Sequence, residues 1–184
     1  DAARATNEEP KWSKPPKLRA AERLLALQQY VDSLAQGGAE SDRNQLRSAF
    51  FVDCSKQQQK SSITFCDAPV GTGKTTAVMA NLLATAASRN LRRIFVVLPF
   101  TNIITQSVEV YRKALVLPGE RPEDVVAEIH HQADFEDMVS RKLTALWDAP
   151  IVVTTAVAFF ETLASATPST LRRLQNLPGS AVFL

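Results

Sequence analysis

The sequence predicts an α/β fold, a parallel sheet with flanking helices, and three observations carry that prediction. From residue 63 onward, short apolar runs rich in β-branched residues ("ITFC", "IFVVL", "DVVAEI", "IVVT", "AVFL") alternate with stretches of helical periodicity. Runs that are nearly all apolar, rather than apolar at every second residue, are what strands covered on both faces look like. Strands that alternate regularly with helices imply parallel crossovers. The third observation is "APVGTGKT", which sits between the first apolar run and a helical stretch, where such folds place a phosphate-binding turn.

The whole-chain properties narrow the classes. A chain of 184 residues with 45% hydrophobic content falls in the range of one domain with an ordinary core. A formal charge of +2 and a pI near 8.7 are too mild to announce a dedicated nucleic-acid binder, so any such role must come from motifs. Cys54 and Cys66 show neither CxxC spacing nor a neighbouring histidine cluster, which leaves a disulfide framework and a zinc site without support and fits a reduced, cytoplasmic setting. No apolar run approaches the ~18 residues needed to span a bilayer, and the first residues lack a signal peptide's apolar core. The chain opens on Asp1 and closes at Leu184 inside the apolar run "SAVFL", so it is expected to be a piece of a longer protein.

In order along the chain, residues 1–17 are polar, proline-bearing and without period, as expected of a disordered linker. Residues 18–40 read as a lead-in helix, with Leu24, Leu27, Val31 and Leu34 on one face and Gly37 and Gly38 stopping it. The domain proper is expected over 41–184. It begins with a helix capped by Ser41 or Asp42 that turns Leu46, Ala49 and Phe50 inward and frays in "SKQQQKSS". Then come a strand over 63–66, a helix over 74–88, a strand over 94–98, a helix over 102–115 and a strand over 124–129. A helix over 135–147, a strand over 151–154, helices over 156–165 and 169–176, and a strand from Ala181 to Leu184 complete the pattern. Trp147, Phe159 and Phe160 lie in apolar runs and read as packing residues, and Arg92 and Arg93 read as solvated. His130 and His131 are neighbours that would point to opposite sides of a strand, which suits a loop entry better than a shared metal.

The turn itself, from Ala68 through Pro69, Val70, Gly71, Thr72, Gly73, Lys74 and Thr75 to Thr76, has the chemistry of an anion site. Gly71 and Gly73 can take backbone angles closed to other residues, so successive N–H groups can converge on one point, and the following helix adds its positive end. Lys74 can reach the β- and γ-phosphate oxygens, and the hydroxyl of Thr75 can complete the coordination of a magnesium ion. The strict pattern begins with glycine where this chain has Ala68. A phosphate loop of this kind specifies a nucleoside triphosphate and little more.

Three further segments, "VVLPFTNIITQS", "PIVVTTAVAFFETL" and "GSAVFL", stand in the order in which superfamily 2 helicases carry their motifs. With "LPFTNIITQ", "HHQAD", "WDAPIVVTT" and "FFETL", the wording over residues 42–184 most resembles the CRISPR-associated helicase of type I interference systems, often a nuclease-helicase. The resemblance implies a RecA-like P-loop NTPase domain that binds ATP with Mg2+ through residues 68–76. It also implies that Pro99, Thr101, Asn102, Thr154 and Thr155 contact the backbone of single-stranded DNA. Small hydroxyl and amide groups beside helix N-termini suit that contact, and helix capping after a strand suits Thr101, Thr154 and Thr155 equally. The implied partners are the Cascade surveillance complex, a second RecA-like domain and a possible upstream nuclease domain.

In that family the strand corresponding to "AVFL" runs directly into an Asp-Glu box, which is expected beyond Leu184. No residue up to Leu184 is therefore expected to be catalytic, and these 184 residues alone are expected to bind ATP weakly at best and not to hydrolyse it measurably. Val70 stands where such motors commonly carry threonine, a departure that a backbone cradle tolerates. Another superfamily 2 helicase, a restriction translocase, a small-molecule phosphotransferase and a non-hydrolysing scaffold remain open as alternatives.

Overall fold

The computed structural model describes residues 16–36, 42–56, 61–129, 147–164 and 168–184. One sheet holds β1 (Arg93–Leu98), β2 (Val126–Ile129), β3 (Ile151–Thr155) and β4 (Ser180–Phe183) in the order β2-β3-β1-β4. Every pairing in it is parallel, as the alternation of apolar runs and helices requires. Around it lie α1 (Ala20–Gln36), α2 (Asp42–Lys56), α3 (Lys74–Arg89), α4 (Thr101–Leu115), α5 (Pro122–Val125), α6 (Ala156–Ala164) and α7 (Pro168–Leu174).

The central strands carry unbroken apolar runs, Ile94 to Leu98 in β1 and Ile151 to Val153 in β3, because both of their faces are covered. In β1, Ile94 and Val96 enter a core shared with α1, α3 and α4. Phe95 and Val97 enter a second core on the other face of the sheet, with Trp147, Val152 of β3 and Phe159. Phe95, Trp147 and Phe159 meet ring to ring, Trp147 lying parallel to Phe159 at 5.9 Å and tilted against Phe95 at 5.4 Å. Each such aromatic contact adds about 0.5–1.5 kcal/mol beyond the area it buries.

The lead-in helix is an integral part of this body. Leu27 of α1 is fully buried, and Leu24 and Val31 pack beside it, whereas Leu34 lies past the buried stripe and is exposed. Arg23, also fully buried, fastens α1 to the end of α4. Its Nε donates to the Leu18 carbonyl at 2.7 Å, Nη1 to the Leu115 carbonyl at 2.6 Å and to Glu120 at 2.8 Å, and Nη2 to Lys17 and Glu120. Five donors meet five acceptors, the full capacity of a guanidinium.

Several expected elements differ. The run at residues 63–66 is no strand: it pairs with none of the described strands, and Ile63 and Phe65 are 71% and 92% exposed. Apolar content favours a strand only where a neighbouring backbone is present to take its hydrogen bonds. β2 begins at Val126 and not at 124, because Pro122 opens the short α5, which closes with the Val126 N–H on the Pro122 carbonyl. The last strand is displaced by one residue from the expected 181–184: it starts at Ser180, and Leu184 lies outside it. The parallel register with β1 ends where Phe183 meets Val96, so Leu184 has no partner in the ladder, and its side chain is exposed.

Further differences concern single side chains. The inward side chain of α2 is Phe51; Leu46, five residues earlier, falls on the far side and is exposed, as is Ala49, and Phe50 is only half-buried. The helix expected over 135–147 lies outside the described residues except for Trp147, which is left-handed (φ 58°) and not helical. Phe160 is exposed, unlike Phe159. Arg93 is not solvated but sits half-buried, paired with Asp148 at 3.1 Å, while Arg92 is exposed as expected and reaches the Pro178 carbonyl. His130 and His131 lie outside the described residues.

Candidate functional site

The turn between residue 67 and α3 has the backbone its sequence calls for. Gly71 and Gly73 both take the left-handed conformation, with φ of 86° and 78°. For any other residue each such angle costs about 1–2 kcal/mol. Thr72, between them, is buried, and its hydroxyl donates to the Pro69 carbonyl at 2.9 Å, which holds the turn closed from inside. Gly73 is the N-cap of α3 and supplies no side-chain cap; its carbonyl accepts the N–H groups of Thr76 and Ala77 and the Thr76 hydroxyl. Among the described residues, the N–H groups of Gly73, Lys74 and Thr75 have no backbone acceptor. Donors left open at a helix N-terminus are what an anion requires.

The flanking side chains agree with that use. Lys74 folds back so that Nζ donates to the Ala68 carbonyl at 3.0 Å across the mouth of the turn. The Thr75 side chain is exposed beside it. The carbonyl of Thr75 accepts a bond from the hydroxyl of Tyr111, at 3.4 Å, which ties the first turn of α3 to α4. Tyr111 is buried, and burial pushes its phenol well above the ordinary range, so it acts only as a donor there. Ala68, Pro69, Val70 and Thr76 complete the turn; Val70 and Pro69 are exposed, so neither limits access.

α3 ends at Arg89, packs against β1 and β4, and is followed closely by the start of β1, so its N-terminus points toward the carboxyl ends of the strands. Ligands of open α/β sheets bind at that pole. The other expected residues gather there too. Pro99, Thr101 and Asn102 follow β1, and Thr154 and Thr155 end β3, whose Thr155 is in register with Leu98 of the adjacent β1. Leu184 follows β4 at the same pole. Its exposed apolar side chain can neither bind a metal nor move a proton, so Leu184 has no catalytic part itself.

The polar side chains at this pole are not alike. Pro99, Thr101 and Asn102 are exposed, and α4 starts with Phe100 as an N-cap that offers no side-chain acceptor, so Thr101 does not cap it. Thr155 does cap, accepting the Ala158 N–H at 3.1 Å. Thr154 is fully buried and its hydroxyl is spent on the Ile129 carbonyl of β2, so this hydroxyl does not face the surface expected of it.

Sequence reasoning missed two residues of the site, Arg43 and Arg47. Both stand on α2, and both reach the glycine turn. Arg47 Nε donates to the Gly71 carbonyl at 2.8 Å, and the guanidinium of Arg43 lies so close that a Cβ on Gly71 would meet its Nη2 at 2.7 Å. The available signal was their spacing of four, one helical turn apart in "DRNQLR". With Lys74 they make three cations at one turn, and none takes part in an ion pair among the described residues.

Among the described residues there is no cluster of metal-ligating side chains, so a metal at this turn would be held through a bound ligand and Thr75. No helix of the described residues is long and apolar enough to cross a membrane. None of the curated proteins compared with the chain matches it. The family model for the DEAD/DEAH box helicase matches residues 52–178, a span that holds the phosphate turn, the segment after β1 and the end of β3. The chain therefore belongs to the DEAD/DEAH box helicase family, within superfamily 2, whose members use ATP with Mg2+ and act on nucleic acid.

Proposed function

We propose that this chain is the ATP-binding part of an ATP-dependent DNA helicase or translocase of the CRISPR-associated type I kind. The observation that carries the ATP site is the pair of left-handed glycines ahead of an uncapped helix N-terminus, with Lys74 and the exposed Thr75 at its mouth. Such a turn fits a β,γ-phosphate, which its open N–H groups and Lys74 would hold. A magnesium ion, when bound, would neutralise charge between those phosphates, with the Thr75 hydroxyl as its ligand from this chain.

Single-stranded DNA is supported by the exposed Pro99, Thr101 and Asn102 beside the α4 N-terminus, next to the end of β3. Contacts from hydroxyl, amide and backbone N–H groups grip phosphates without reading sequence. The narrower assignment to antiviral defence, with Cascade as partner, rests on the wording of "LPFTNIITQ", "HHQAD", "WDAPIVVTT" and "FFETL". The acidic box that positions water and metal is expected beyond Leu184, so these residues bind the nucleotide and do not turn it over alone.

The test is ATP hydrolysis by the complete polypeptide with single-stranded DNA, with RNA, and with Cascade bound to its target. Stimulation by DNA and further by the loaded complex is expected. Stimulation by RNA alone would assign the chain to another branch of the superfamily, and DNA-stimulated turnover by residues 1–184 alone would contradict the division of labour.

A further inference from the structure

Two arginines upstream of the family match sit on the phosphate turn, and their geometry asks for an anion. α2 packs on α3 through Phe51, and Arg47 and Arg43 follow at four-residue steps toward the helix start, on the side that overhangs the turn. Arg47 spends its Nε on the Gly71 carbonyl, and its other hydrogen bond among the described residues is a long one of 3.5 Å to Asn44. Arg43 makes no ion pair among the described residues, although its guanidinium is pressed against Gly71. Both are exposed. Gly71 is constrained by its left-handed angle, and the Arg43 guanidinium, the end of a flexible and exposed side chain, rests where a side chain on Gly71 would stand.

Three exposed cations around a single turn repel one another modestly in water, and a multiply charged anion lying between them would replace that repulsion with attraction. A guanidinium offers a planar fork that matches phosphate oxygens two at a time, whereas Lys74 acts as a point charge. We infer that α2 forms a second wall of the phosphate site, and that Arg43 and Arg47 contact the phosphate chain of a bound nucleoside triphosphate. The inference rests on the ATP reading and goes beyond it, because it makes affinity depend on the number of phosphates through residues outside the family match. Lys74 Nζ donates to the Ala68 carbonyl and Arg47 Nε to the Gly71 carbonyl, and the anion would take the place of those acceptors.

The experiment is calorimetric titration of the chain with Mg-ATP, ADP and AMP at several salt concentrations. Wild type is compared with Lys74→Ala, Arg43→Ala, Arg47→Ala and Arg47→Lys, and thermal melts are recorded for each. Expected are a loss of about tenfold in ATP affinity for each arginine-to-alanine change, a smaller loss for ADP, little change for AMP, and a shallower salt dependence. Arg47→Lys should recover part of the ATP affinity. If wild type fails to bind ATP, the ATP reading itself falls. If wild type binds and Lys74→Ala does not, while the arginine variants bind ATP as wild type does, the second wall is overturned and the ATP reading survives. Equal losses for ATP and AMP, accompanied by a lower melting temperature, would likewise overturn it by showing that α2 only braces the turn.

Discussion

Arg23 and Arg47 each donate through Nε to a backbone carbonyl, and there the likeness ends. Arg23 is fully buried, and its five N–H groups are all spent, on three carbonyls and both oxygens of Glu120. Arg47 and its neighbour Arg43 are exposed and lack any carboxylate partner among the described residues. A buried guanidinium must be satisfied by the fold itself, since no water can do it, and so it becomes a fastener. An exposed one beside the glycine turn has water for its remaining donors, which leaves them available to the proposed anion. The contrast separates what holds this molecule together from what it holds.

The comparison breaks first at Arg23. Replacing it with alanine leaves Glu120 without its main partner and empties the space between α1 and α4, at a cost of about 3–5 kcal/mol. Urea unfolding of Arg23→Ala should show that loss, whereas Arg47→Ala should unfold within about 0.5 kcal/mol of wild type. An Arg23→Ala protein as stable as wild type would mean that α1 is merely resting on the domain.

Lys74→Ala is the reciprocal case. Its partner is one carbonyl at the surface, so stability should stay within about 0.5 kcal/mol while affinity for ATP falls about a hundredfold. A third change, Thr155→Ala, removes the cap of α6 and should cost about 1 kcal/mol without touching nucleotide binding.

The smallest effect is one of pH. Burial works against charge on Glu120, but hydrogen bonds from Arg23 and the Leu117 N–H, with the charges of Arg23 and Arg19, outweigh it and hold this carboxyl below its ordinary range. A depressed carboxyl contributes stability that is complete above its unfolded pKa, roughly 4.3, and is lost as pH falls through the lower folded value. Stability measured from pH 7 down to 3 should therefore decline below about pH 4, and Glu120→Gln should flatten that decline. An unchanged acid profile in Glu120→Gln would remove Glu120 from the fastening of α1.

How much of this was legible beforehand depended on what kind of question each residue posed. β1 and β3 were readable because continuous apolarity reports burial on both faces, and both strands are indeed covered on both. Residues 63–66 look the same in sequence, yet apolarity says nothing about whether a neighbouring strand exists, and here none of the described strands pairs with them. Leu184 is the same lesson at one residue: it continues an apolar run, but the register with β1 stops at Phe183. The conformation of Gly71 and Gly73 was readable because glycine spacing constrains backbone locally. Thr154 and Thr155 differ only by the alternation of a strand, which sent one hydroxyl to Ile129 and the other to the cap of α6. Arg43 and Arg47 were not readable as site residues, because arginines on a helix resemble a solvated face until the packing of α2 on α3 brings them over the turn.

The most direct measurement is a titration of Mg-ATP into the wild-type chain and into Lys74→Ala. Saturable one-site binding by the wild type, reduced about a hundredfold by the substitution with no change in melting temperature, is the predicted result. Equal binding by both proteins, or no binding by the folded wild type, would contradict the assignment of residues 68–76 as the nucleotide site.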